Sequence, residues 1–321
     1  MKKEHHFLPL VSVVIPTRYR PEMVCRSVLS ALRQTHPNLE VIVVVDGPDP
    51  LTIAALGALD DPRLRTVPLP ENVGGSDARN CGVRTSKGEW IAFLDDDDEW
   101  LPQKLEKQLA LALEMSTPIA FVACRFLDRD RFGERVLPPM ACDPTMPFSE
   151  FLLCRPGLTG GSGYVQTSTW LVSRRLAQQC PFTPGLKRNQ DLDWMLRAMA
   201  VPGACFALVS EALSIFNSSS DPRRVSKISD WEFHYNWALT NRRYFTPKAL
   251  TYFLSIVCVE DAVKQGRRLS ASRQLIVAIV LNGKPSVKSW LFFLYYMFIP
   301  EQPRQRLRLA LAALKRGHDT L

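Results

Sequence analysis

Uninterrupted apolar segments, separated by segments of helical periodicity, constrain the fold of this chain more than any other feature. The segment Glu40–Val45 reads EVIVVV and contains five apolar residues in succession. A strand with one solvated face alternates apolar and polar residues, so an unbroken apolar run predicts a strand that is covered on both faces. Because helices separate several such runs, the sequence predicts an α/β fold with a mostly parallel sheet flanked by helices.

The first half of the chain predicts five strands and four helices. The predicted strands are Val11–Pro16, Glu40–Val45, Arg63–Val67, Trp90–Leu94 and Ile119–Cys124. The predicted helices are Pro21–Gln34, Leu51–Leu59, Gly75–Thr85 and Pro102–Met115. From Arg125 to Thr169 the sequence is rich in Pro and Gly, which predicts loops around one helix near Phe148–Cys154.

The second half predicts fewer strands and ends in a helical region. The predicted elements are a strand at Thr169–Ser173, a helix at Gln190–Ala200 with Asn189 as its N-cap, and short strands at Cys205–Val209 and Ala212–Phe216. From about Ser229 onward the periodicity is helical almost throughout.

Composition excludes several other classes of protein. A hydrophobic content of 46% with 22% charged residues is that of an ordinary globular chain, not of a disordered one. None of the eight cysteines forms a CxxC pair, which argues against a zinc site and a disulfide framework and favours reduced, buried thiols. The apolar N-terminal stretch is interrupted by Pro9 and Pro16 and has no cleavage signal after it, so we interpret it as a strand rather than a signal peptide.

The positive charge is concentrated in the last third of the chain. The net charge is +8, and residues 221–321 hold 17 Lys and Arg against seven Asp and Glu. This asymmetry predicts an anionic surface as partner, either a membrane or a nucleic acid. No nucleic-acid-binding motif accompanies the charge, which favours the membrane.

One apolar helix near the C-terminus helps to decide between a membrane and a nucleic acid as the anionic partner. Trp290–Ile299 reads WLFFLYYMFI, and ten helical residues rise only about 15 Å, too short for a bilayer core that needs about 20 residues. Five basic residues follow it: Arg304, Arg306, Arg308, Lys315 and Arg316. An aromatic helix beside a basic amphipathic segment predicts peripheral binding to an anionic membrane. The alternative is packing onto the catalytic part of the chain with a solvated basic face.

Four consecutive aspartates, Asp95–Asp98, follow the predicted strand Trp90–Leu94. Two carboxylates about 5 Å apart repel by roughly 3 kcal/mol at an effective dielectric constant of about 20. Acidic residues at the carboxyl end of a parallel strand lie where α/β sheets bind ligands, and a hard divalent cation there would remove the repulsion. The alternative is a solvated acidic turn before the next helix. An EF-hand is excluded because its glycine and distal glutamate are missing.

Five sequence motifs, in one order over roughly 110 residues, accompany these aspartates. They are P-T-x-x-R at Pro16–Arg20, S-x-x-x-Q-T at Ser30–Thr35, V-D-G at Val45–Gly47, N-x-G-x-x-x-A-R-N-x-G at Asn72–Gly82, and F-L-D-x-D-D-x-W at Phe93–Trp100. A weaker sixth, N-Q-D-L-D-W-M-L-R, lies at Asn189–Arg197. Over residues 10–220 the chain resembles glycosyltransferase family 2, the inverting enzymes of the GT-A fold, of the bacterial surface-polysaccharide type. The helical C-terminal region is not part of the resemblance.

The resemblance implies a donor site for a nucleotide diphosphate sugar, with a UDP-sugar favoured. The residues implied to bind the donor are Pro16, Thr17, Arg20, Asp46, Arg79, Asp95 and Asp96. Asp46 would accept a hydrogen bond from the base, and Arg79 would neutralise phosphate. Asp96 would contact the ribose, and Asp97 with Asp95 would hold Mn²⁺ or Mg²⁺ in a D-x-D arrangement. The alternatives are that Asp46 is an ordinary turn residue before Gly47 and that Arg79 is an ion-pair partner.

The same resemblance implies Asp191 as the general base that takes the proton of the acceptor hydroxyl. The alternative is that Asp191 only complements the dipole of its helix. Asp193 and Arg197 are four residues apart and are expected to pair on one helical face. The family has a glutamate where this chain has Gln190.

We expect Gly161, Gln166 and Trp194 to border the acceptor, although Trp194 could equally pack in the core. Asp98 is expected to cap the turn that follows it. These assignments divide the chain into a nucleotide-sugar-binding half at 1–125, an acceptor-binding half at 126–225, and a basic helical region at 226–321.

The expected enzyme transfers a sugar to a glycan or lipid-linked saccharide on the inner face of the cell membrane. Two alternatives are a sugar nucleotidyltransferase and a non-catalytic glycan-binding protein. The first usually has a glycine-rich loop after the first strand, where this chain has TRYRPEM. Which sugar is donated, which linkage forms and how many subunits assemble are not encoded in these motifs.

Overall fold

The computed structural model describes residues 8–130, 133–157, 162–217, 230–300 and 302–304. The chain divides into two compact units. The first, here called the sheet unit, comprises Met1–Pro144 and Tyr164–Pro222. The second, the helical unit, comprises Thr145–Gly163 and Arg223–Leu321. The predicted Gly161 lies outside the described residues.

The described part of the sheet unit contains nine strands in one sheet. They are β1 (Val11–Thr17), β2 (Leu39–Val45), β3 (Leu64–Pro68), β4 (Trp90–Phe93), β5 (Glu99–Trp100), β6 (Ala120–Asp130), β7 (Gly133–Leu137), β8 (Leu171–Ser173) and β9 (Cys205–Asn217). Its helices are α1 (Pro21–Leu32), α2 (Pro50–Gly57), α3 (Gly75–Thr85), α4 (Lys104–Glu114), α6 (Arg174–Gln179) and α7 (Gln190–Ala198). The helical unit contains α5 (Phe148–Leu153), α8 (Trp231–Thr240), α9 (Pro247–Phe253), α10 (Val259–Lys264), α11 (Arg268–Asn282) and α12 (Val287–Phe298).

The strand order is β3-β2-β1-β4-β8-β6-β9-β5, with β7 paired to β6. β1 runs parallel to both β2 and β4, and β2 runs parallel to β3. Val11, Val13, Val14 and Ile15 of β1 are fully buried, as expected for a strand with covered faces. The predicted α/β class with a mostly parallel sheet, flanking helices and a helical C-terminal region is confirmed.

The packing of α3 on β1 explains a glycine of the fourth motif. A Cβ atom at Gly82 would lie 2.3 Å from Cγ1 of Val14, closer than real carbon atoms approach. Only a residue without a side chain therefore lets α3 lie this close to β1. The close packing fixes the distance of α3 from the sheet, and with it the position of Arg79.

The loop predicted for the stretch after Cys124 is wrong. β6 continues to Asp130 and forms an antiparallel hairpin with β7. Two ion pairs connect opposite residues of this hairpin, Asp128 with Arg135 at 2.6 Å and Arg129 with Glu134 at 2.6 Å. Because cross-strand charges rather than an apolar run stabilise it, hydrophobic periodicity does not detect it.

Two further predictions in the second half need correction, and one helix was missed. The two short strands near residue 210 are one strand, β9, whose pairing with β6 skips from Val209 to Ala212 and so forms a bulge. The six-residue helix α6 was not predicted. Asn189 precedes α7 as predicted, but it is in the left-handed conformation with φ 56° and its side chain does not cap the helix.

In the helical unit, α9 and α10 are joined through a π-helical turn at Leu254–Cys258 and form one continuous helical segment. The ring of His234 on α8 lies 3.2 Å from Asp261 on α10. No helix among the described residues is both long enough and apolar enough to cross a membrane.

Candidate functional site

The candidate site lies where the carboxyl ends of β1, β2 and β4 meet at one edge of the sheet. Thr17 ends β1 opposite Val45, the last residue of β2, and Asp46 follows directly. Asp95–Asp98 follow β4, which pairs with β1 through Phe93 opposite Val14. Parallel pairing therefore brings residues from three separate motifs to the same edge, as in other open α/β sheets.

Asp96 is the carboxylate that connects the first loop to the aspartate run. Thr17 Oγ1 donates to Asp96 Oδ2 at 2.8 Å, and Arg20 Nη1 donates to Asp96 Oδ1 at 2.8 Å. Burial raises the pKa of Asp96 to about 6, although Arg20 and Thr17 oppose the rise. The predicted donor residues Thr17, Arg20 and Asp96 thus form one hydrogen-bonded cluster.

The backbone of the first loop is held by an aspartate that the sequence analysis did not assign. Tyr19 has a positive φ of 54°, and its backbone N–H donates to Asp49 Oδ2 at 2.6 Å. Asp49 also caps α2 by accepting from the backbone N–H of Thr52 at 3.1 Å. The sequence signal for this role is an aspartate directly before Pro50, the N-cap and N1 pattern of a helix.

Asp95 and Asp97 have different surroundings. Asp97 Oδ2 lies 3.6 Å from Arg20 Nη1, and the backbone oxygen of Asp97 accepts a hydrogen bond from Asn217 at 3.4 Å. Asp95 is paired with Arg79 Nη2 at 2.5 Å. Both carboxylates of the predicted D-x-D pair therefore lie close to a guanidinium group, which offsets the repulsion within the run.

Asp98 and Gln166 contact each other beside the aspartate run. Asp98 is fully buried and accepts from Ser168 Oγ at 2.6 Å and from Gln166 Nε2. Gln166 itself is buried and accepts from the backbone N–H of Ser168, as the N-cap of a 3₁₀ turn at Thr167–Thr169. Both side chains hold the segment before β8 against the aspartate run, and a role of Gln166 beside the acceptor stays a prediction.

The S-x-x-x-Q-T motif fixes the chain on the other side of the aspartates. Ser30 Oγ accepts from the backbone N–H of Trp100 at 3.1 Å. Gln34 donates to the backbone oxygen of Leu101 at 2.9 Å and accepts from the N–H of Leu105 at 3.0 Å. Ser30 on α1 and Gln34 just after it thus position the junction between the aspartate run and α4. They do not themselves belong to the cluster at the strand ends.

Asp46 connects the end of β2 to the start of α3. Its two carboxylate oxygens accept from the backbone N–H groups of Val73 at 2.7 Å and Gly74 at 3.0 Å. Gly74 has φ 87°, a conformation that favours glycine. Pro16 lies within β1 opposite Val44, one residue before Thr17. Asp46 therefore positions the loop at the sheet edge, in addition to any contact with a ligand.

Arg79 connects the aspartate run to the start of α7. Its Nη2 pairs with Asp95, and its Nη1 donates to Gln190 Oε1 at 3.1 Å. The side chain of Asn80 reinforces this link, because it exchanges two hydrogen bonds of 2.9 and 2.8 Å with the backbone of Phe182. Residues more than 100 positions apart are thereby held together, and Gln190 lies directly before Asp191.

Asp191 lies in the first turn of α7, and both of its oxygens have partners. Oδ1 accepts from the backbone N–H of Leu192 at 2.8 Å, and Oδ2 accepts from the hydroxyl of Tyr164. Burial and the nearby charge of Asp191 raise the pKa of Tyr164 well above its usual value, so this hydroxyl stays protonated and donates. Tyr164 is a residue that the sequence analysis missed, since no motif includes it.

The remaining acidic and aromatic residues of α7 are structural. Asp193 pairs with Arg197 at 2.8 Å, as predicted, and accepts from Thr183 at 2.7 Å. Trp194 is 1% exposed and stacks on Trp170 with ring centroids 4.9 Å apart. Of the two alternatives for Trp194, the structure shows packing in the core.

The carboxylates at the sheet edge suit a hard cation whose remaining ligands come from water and a bound phosphate. The described residues contain no group of three or more His, Cys, Asp or Glu arranged to hold a metal ion. Mg²⁺ and Mn²⁺ sites at phosphates commonly use one or two carboxylates, with water and phosphate oxygens as the other ligands. Asp97 and Asp95 fit this smaller requirement.

Comparison with known proteins identifies the family. The sequence model described as Glycosyl transferase family 2 matches residues 12–180, slightly more than half of the chain. The chain belongs to this family. Membership makes the protein a glycosyltransferase and argues against the nucleotidyltransferase and the non-catalytic binding protein.

Individual relatives agree with this assignment. The family 2 chain is 26% identical over 292 residues to the amylovoran biosynthesis glycosyltransferase AmsB of Erwinia amylovora, and the match covers 87% of this chain and 93% of AmsB. The putative colanic acid biosynthesis glycosyl transferase WcaA of Escherichia coli is 30% identical over 222 residues, which cover 68% of this chain and 76% of WcaA. Three other relatives are matched over less than half of their own length.

Two solved structures share the fold. S. aureus TarS 1-349 in complex with UDP-GlcNAc is 17% identical with a TM-score of 0.54, over 89% of this chain and 79% of that one. The mannosyltransferase PcManGT from Pyrobaculum calidifontis, in complex with GDP-Man and Mn²⁺, is 17% identical with a TM-score of 0.50, over 98% and 89% of the two chains. At this identity the likeness concerns the fold alone.

Proposed function

We propose that this glycosyltransferase moves a sugar from a nucleoside diphosphate sugar to a hydroxyl of a glycan or lipid-linked saccharide, with inversion and with Asp191 as the general base. One observation carries the proposal. Arg79 forms an ion pair with Asp95 after β4 and a hydrogen bond with Gln190, which directly precedes Asp191. One side chain therefore links the acidic edge that would bind the sugar donor to the candidate base. An inverting transfer needs these two parts on the same reaction centre.

The donor occupies the edge formed by β1, β2 and β4. Asp46 accepts from the base, Asp96 with Thr17 and Arg20 contacts the ribose, and Pro16 lies beside them in β1. Arg79 faces the diphosphate through the guanidinium that pairs with Asp95. The complex of TarS with UDP-GlcNAc supports a UDP-sugar as the donor class.

A divalent cation completes the donor site. Asp97, together with Asp95, would hold Mn²⁺ or Mg²⁺, and the complex of PcManGT with Mn²⁺ supports this choice. When bound, the ion offsets the negative charge that develops on the departing diphosphate.

Asp191 acts on the other side of the sugar. The acceptor hydroxyl gives its proton to Asp191 while its oxygen forms a bond to the anomeric carbon. The bond from that carbon to the diphosphate breaks on the opposite face, and the nucleoside diphosphate leaves with the bonding electrons. Tyr164 and the N–H of Leu192 hold the carboxylate in one orientation while the proton moves.

Each region of the chain has a proposed role around this centre. Residues 1–125 bind the donor, residues 126–225 border the acceptor, and residues 226–321 form a basic region. A lipid-linked acceptor would place the protein peripherally at the inner face of the cell membrane, in keeping with the +10 charge balance of residues 221–321.

The test compares two aspartates of the same helix. We expect Asp191→Asn to bind UDP as the wild type does and to lose transfer by a factor of about 10² to 10⁴. The matched control is Asp193→Asn, which removes a carboxylate that contacts Arg197 and Thr183, and which lowers stability while leaving transfer per folded molecule intact. Full transfer by Asp191→Asn, measured by mass spectrometry with pooled nucleotide sugars and a lipid-linked acceptor extract, would remove the assignment of the base.

A further inference from the structure

The helices α11 and α12 form an antiparallel pair on one side of the helical unit. Residues 283–286 connect them, and Ser272 near the start of α11 lies 3.9 Å from the sulfur of Met297 near the end of α12. Both helices pack on α10 and on the π-helical turn before it. Because they share this inner layer, the outward faces of the two helices lie on the same side of the unit.

The outward face of α12 is mostly apolar, and that of α11 carries exposed apolar side chains beside exposed polar ones such as Arg273 and Gln274. Leu269 at the start of α11 is 90% exposed and Leu281 at its end is 75% exposed, while Val287 and Phe298 at the two ends of α12 are 79% and 67% exposed. The other exposed apolar residues of the pair are Ile276, Val277, Val280, Leu291 and Leu294. On α12 the exposed positions repeat at intervals of four, three and four residues, which is a continuous stripe along one helical face.

The inward faces account for the rest of the apolar residues. Phe292, Phe293 and Tyr296 of α12 are buried, as are Leu275 and Ile279 of α11. The helix predicted at Trp290–Ile299 is thus divided, with one face in the core of its unit and the other in contact with solvent. A contiguous exposed apolar face of this kind is uncommon on a soluble monomer and marks an interaction surface.

Charge distinguishes between the possible occupants of this face. Between Ala262 and Pro300 the sequence contains no Asp or Glu and six basic residues. They are Lys264, Arg267, Arg268, Arg273, Lys284 and Lys288. A second copy of the chain would bring the same positive charge against this one. Residues 305–321 add four Lys and Arg against one Asp to the overall positive charge of the chain.

We infer that the outward face of α11 and α12 docks on the surface of an anionic lipid bilayer. The exposed Leu, Val and Phe side chains enter the boundary between headgroups and acyl chains, and the basic side chains contact anionic headgroups. The inference places the contact on the pair α11–α12 rather than on the segment after Arg304. It does not depend on the transfer chemistry, because its test measures binding alone.

The experiment is co-sedimentation of the full-length chain with vesicles of phosphatidylcholine alone or with about 30% phosphatidylglycerol. We expect binding to the anionic vesicles only, and weaker binding when salt is raised from about 0.1 M to about 0.5 M. The double variant Leu291→Glu/Leu294→Glu should bind at least about tenfold more weakly. Arg268→Glu/Arg273→Glu, a second variant that leaves the apolar face intact, should also bind about tenfold more weakly.

The matched control is Leu113→Glu, which makes the same kind of substitution once, at an exposed leucine of α4 in the sheet unit. It should bind as the wild type does, and melting curves should show that all variants are folded. Two results would overturn the inference. One is loss of vesicle binding in Arg306→Glu/Arg308→Glu with full binding in Leu291→Glu/Leu294→Glu. The other is a wild-type dimer in light scattering that Leu291→Glu/Leu294→Glu converts to a monomer.

Discussion

The hydroxyl of Tyr164 donates a hydrogen bond to Oδ2 of Asp191, while Oδ1 of the same carboxylate accepts the backbone N–H of Leu192. The carboxylate is therefore held at both oxygens in a single orientation. A base that must meet one acceptor hydroxyl gains from such fixation, because misorientation by a fraction of an ångström weakens proton transfer. Tyr164 is accordingly a positioning residue for Asp191.

Replacement of Tyr164 tests this role. We expect Tyr164→Phe to lower kcat roughly tenfold, less than loss of the base itself, and to leave KM for the donor unchanged. The control is Tyr244→Phe, which removes a hydroxyl that contacts Arg243 in the helical unit. A higher kcat/KM for the acceptor in Tyr164→Phe would contradict the prediction, since it would mean that the hydroxyl competes with the acceptor.

The metal contribution to nucleotide binding should depend on Asp97. Melting curves with UDP, GDP and dTDP, with and without Mn²⁺, measure it, because a ligand at 100 times its Kd adds about 2.7 kcal/mol of stability. We expect Asp97→Asn to abolish the part that requires Mn²⁺ and to retain the part that does not. Asp61→Asn, at a surface ion pair with Arg63, should behave as the wild type does. An unchanged Mn²⁺ effect in Asp97→Asn would remove Asp97 from the metal site.

The raised pKa of Asp96 predicts a pH dependence of stability. Burial raises this pKa from 3.8 to about 6, so the folded state holds the proton more tightly than the unfolded chain does. The corresponding stabilisation, roughly 3 kcal/mol, is fully present below pH 3.8 and is lost as the pH rises through about 6. Without nucleotide, the free energy of unfolding of the wild type relative to Asp96→Asn should fall by about 2 kcal/mol between about pH 4 and about pH 7.

Asp61 provides a control of opposite sign. Its hydrogen bonds with Arg63 lower its pKa, so the wild type relative to Asp61→Asn should gain stability as the pH rises. Urea unfolding at a series of pH values measures both differences. A flat difference for Asp96→Asn would show that its carboxylate is solvated.

Arg79 should not be replaceable by lysine. Its two terminal nitrogens bind Asp95 and Gln190 at the same time, and a single ammonium group does not reproduce this fork. We expect Arg79→Lys to lower kcat about tenfold and stability by about 1 to 3 kcal/mol. Arg63→Lys, which alters another bridging arginine away from the site, should affect stability alone. Normal turnover in Arg79→Lys would mean that positive charge suffices there.

The structure also separates motif residues by role. Ser30 and Gln34 fix the junction before α4, and Gly82 allows the close approach of α3 to β1. Thr17, Arg20 and Asp96 instead form a cluster at the sheet edge. All of them occur in the same set of motifs, so the motif pattern alone does not distinguish a scaffold residue from a site residue.

The sequence by itself determined the α/β class, the buried parallel strands and the acidic edge, because apolar runs and their spacing report the burial of their own segment. It did not determine the β6–β7 hairpin, the buried role of Asp98, the contact of Tyr164 with Asp191 or the exposed face of α11 and α12. Each of these depends on which distant segments pack together, and a local pattern does not contain that information. Only tertiary packing decided which polar groups are buried with partners and which apolar groups remain in contact with solvent.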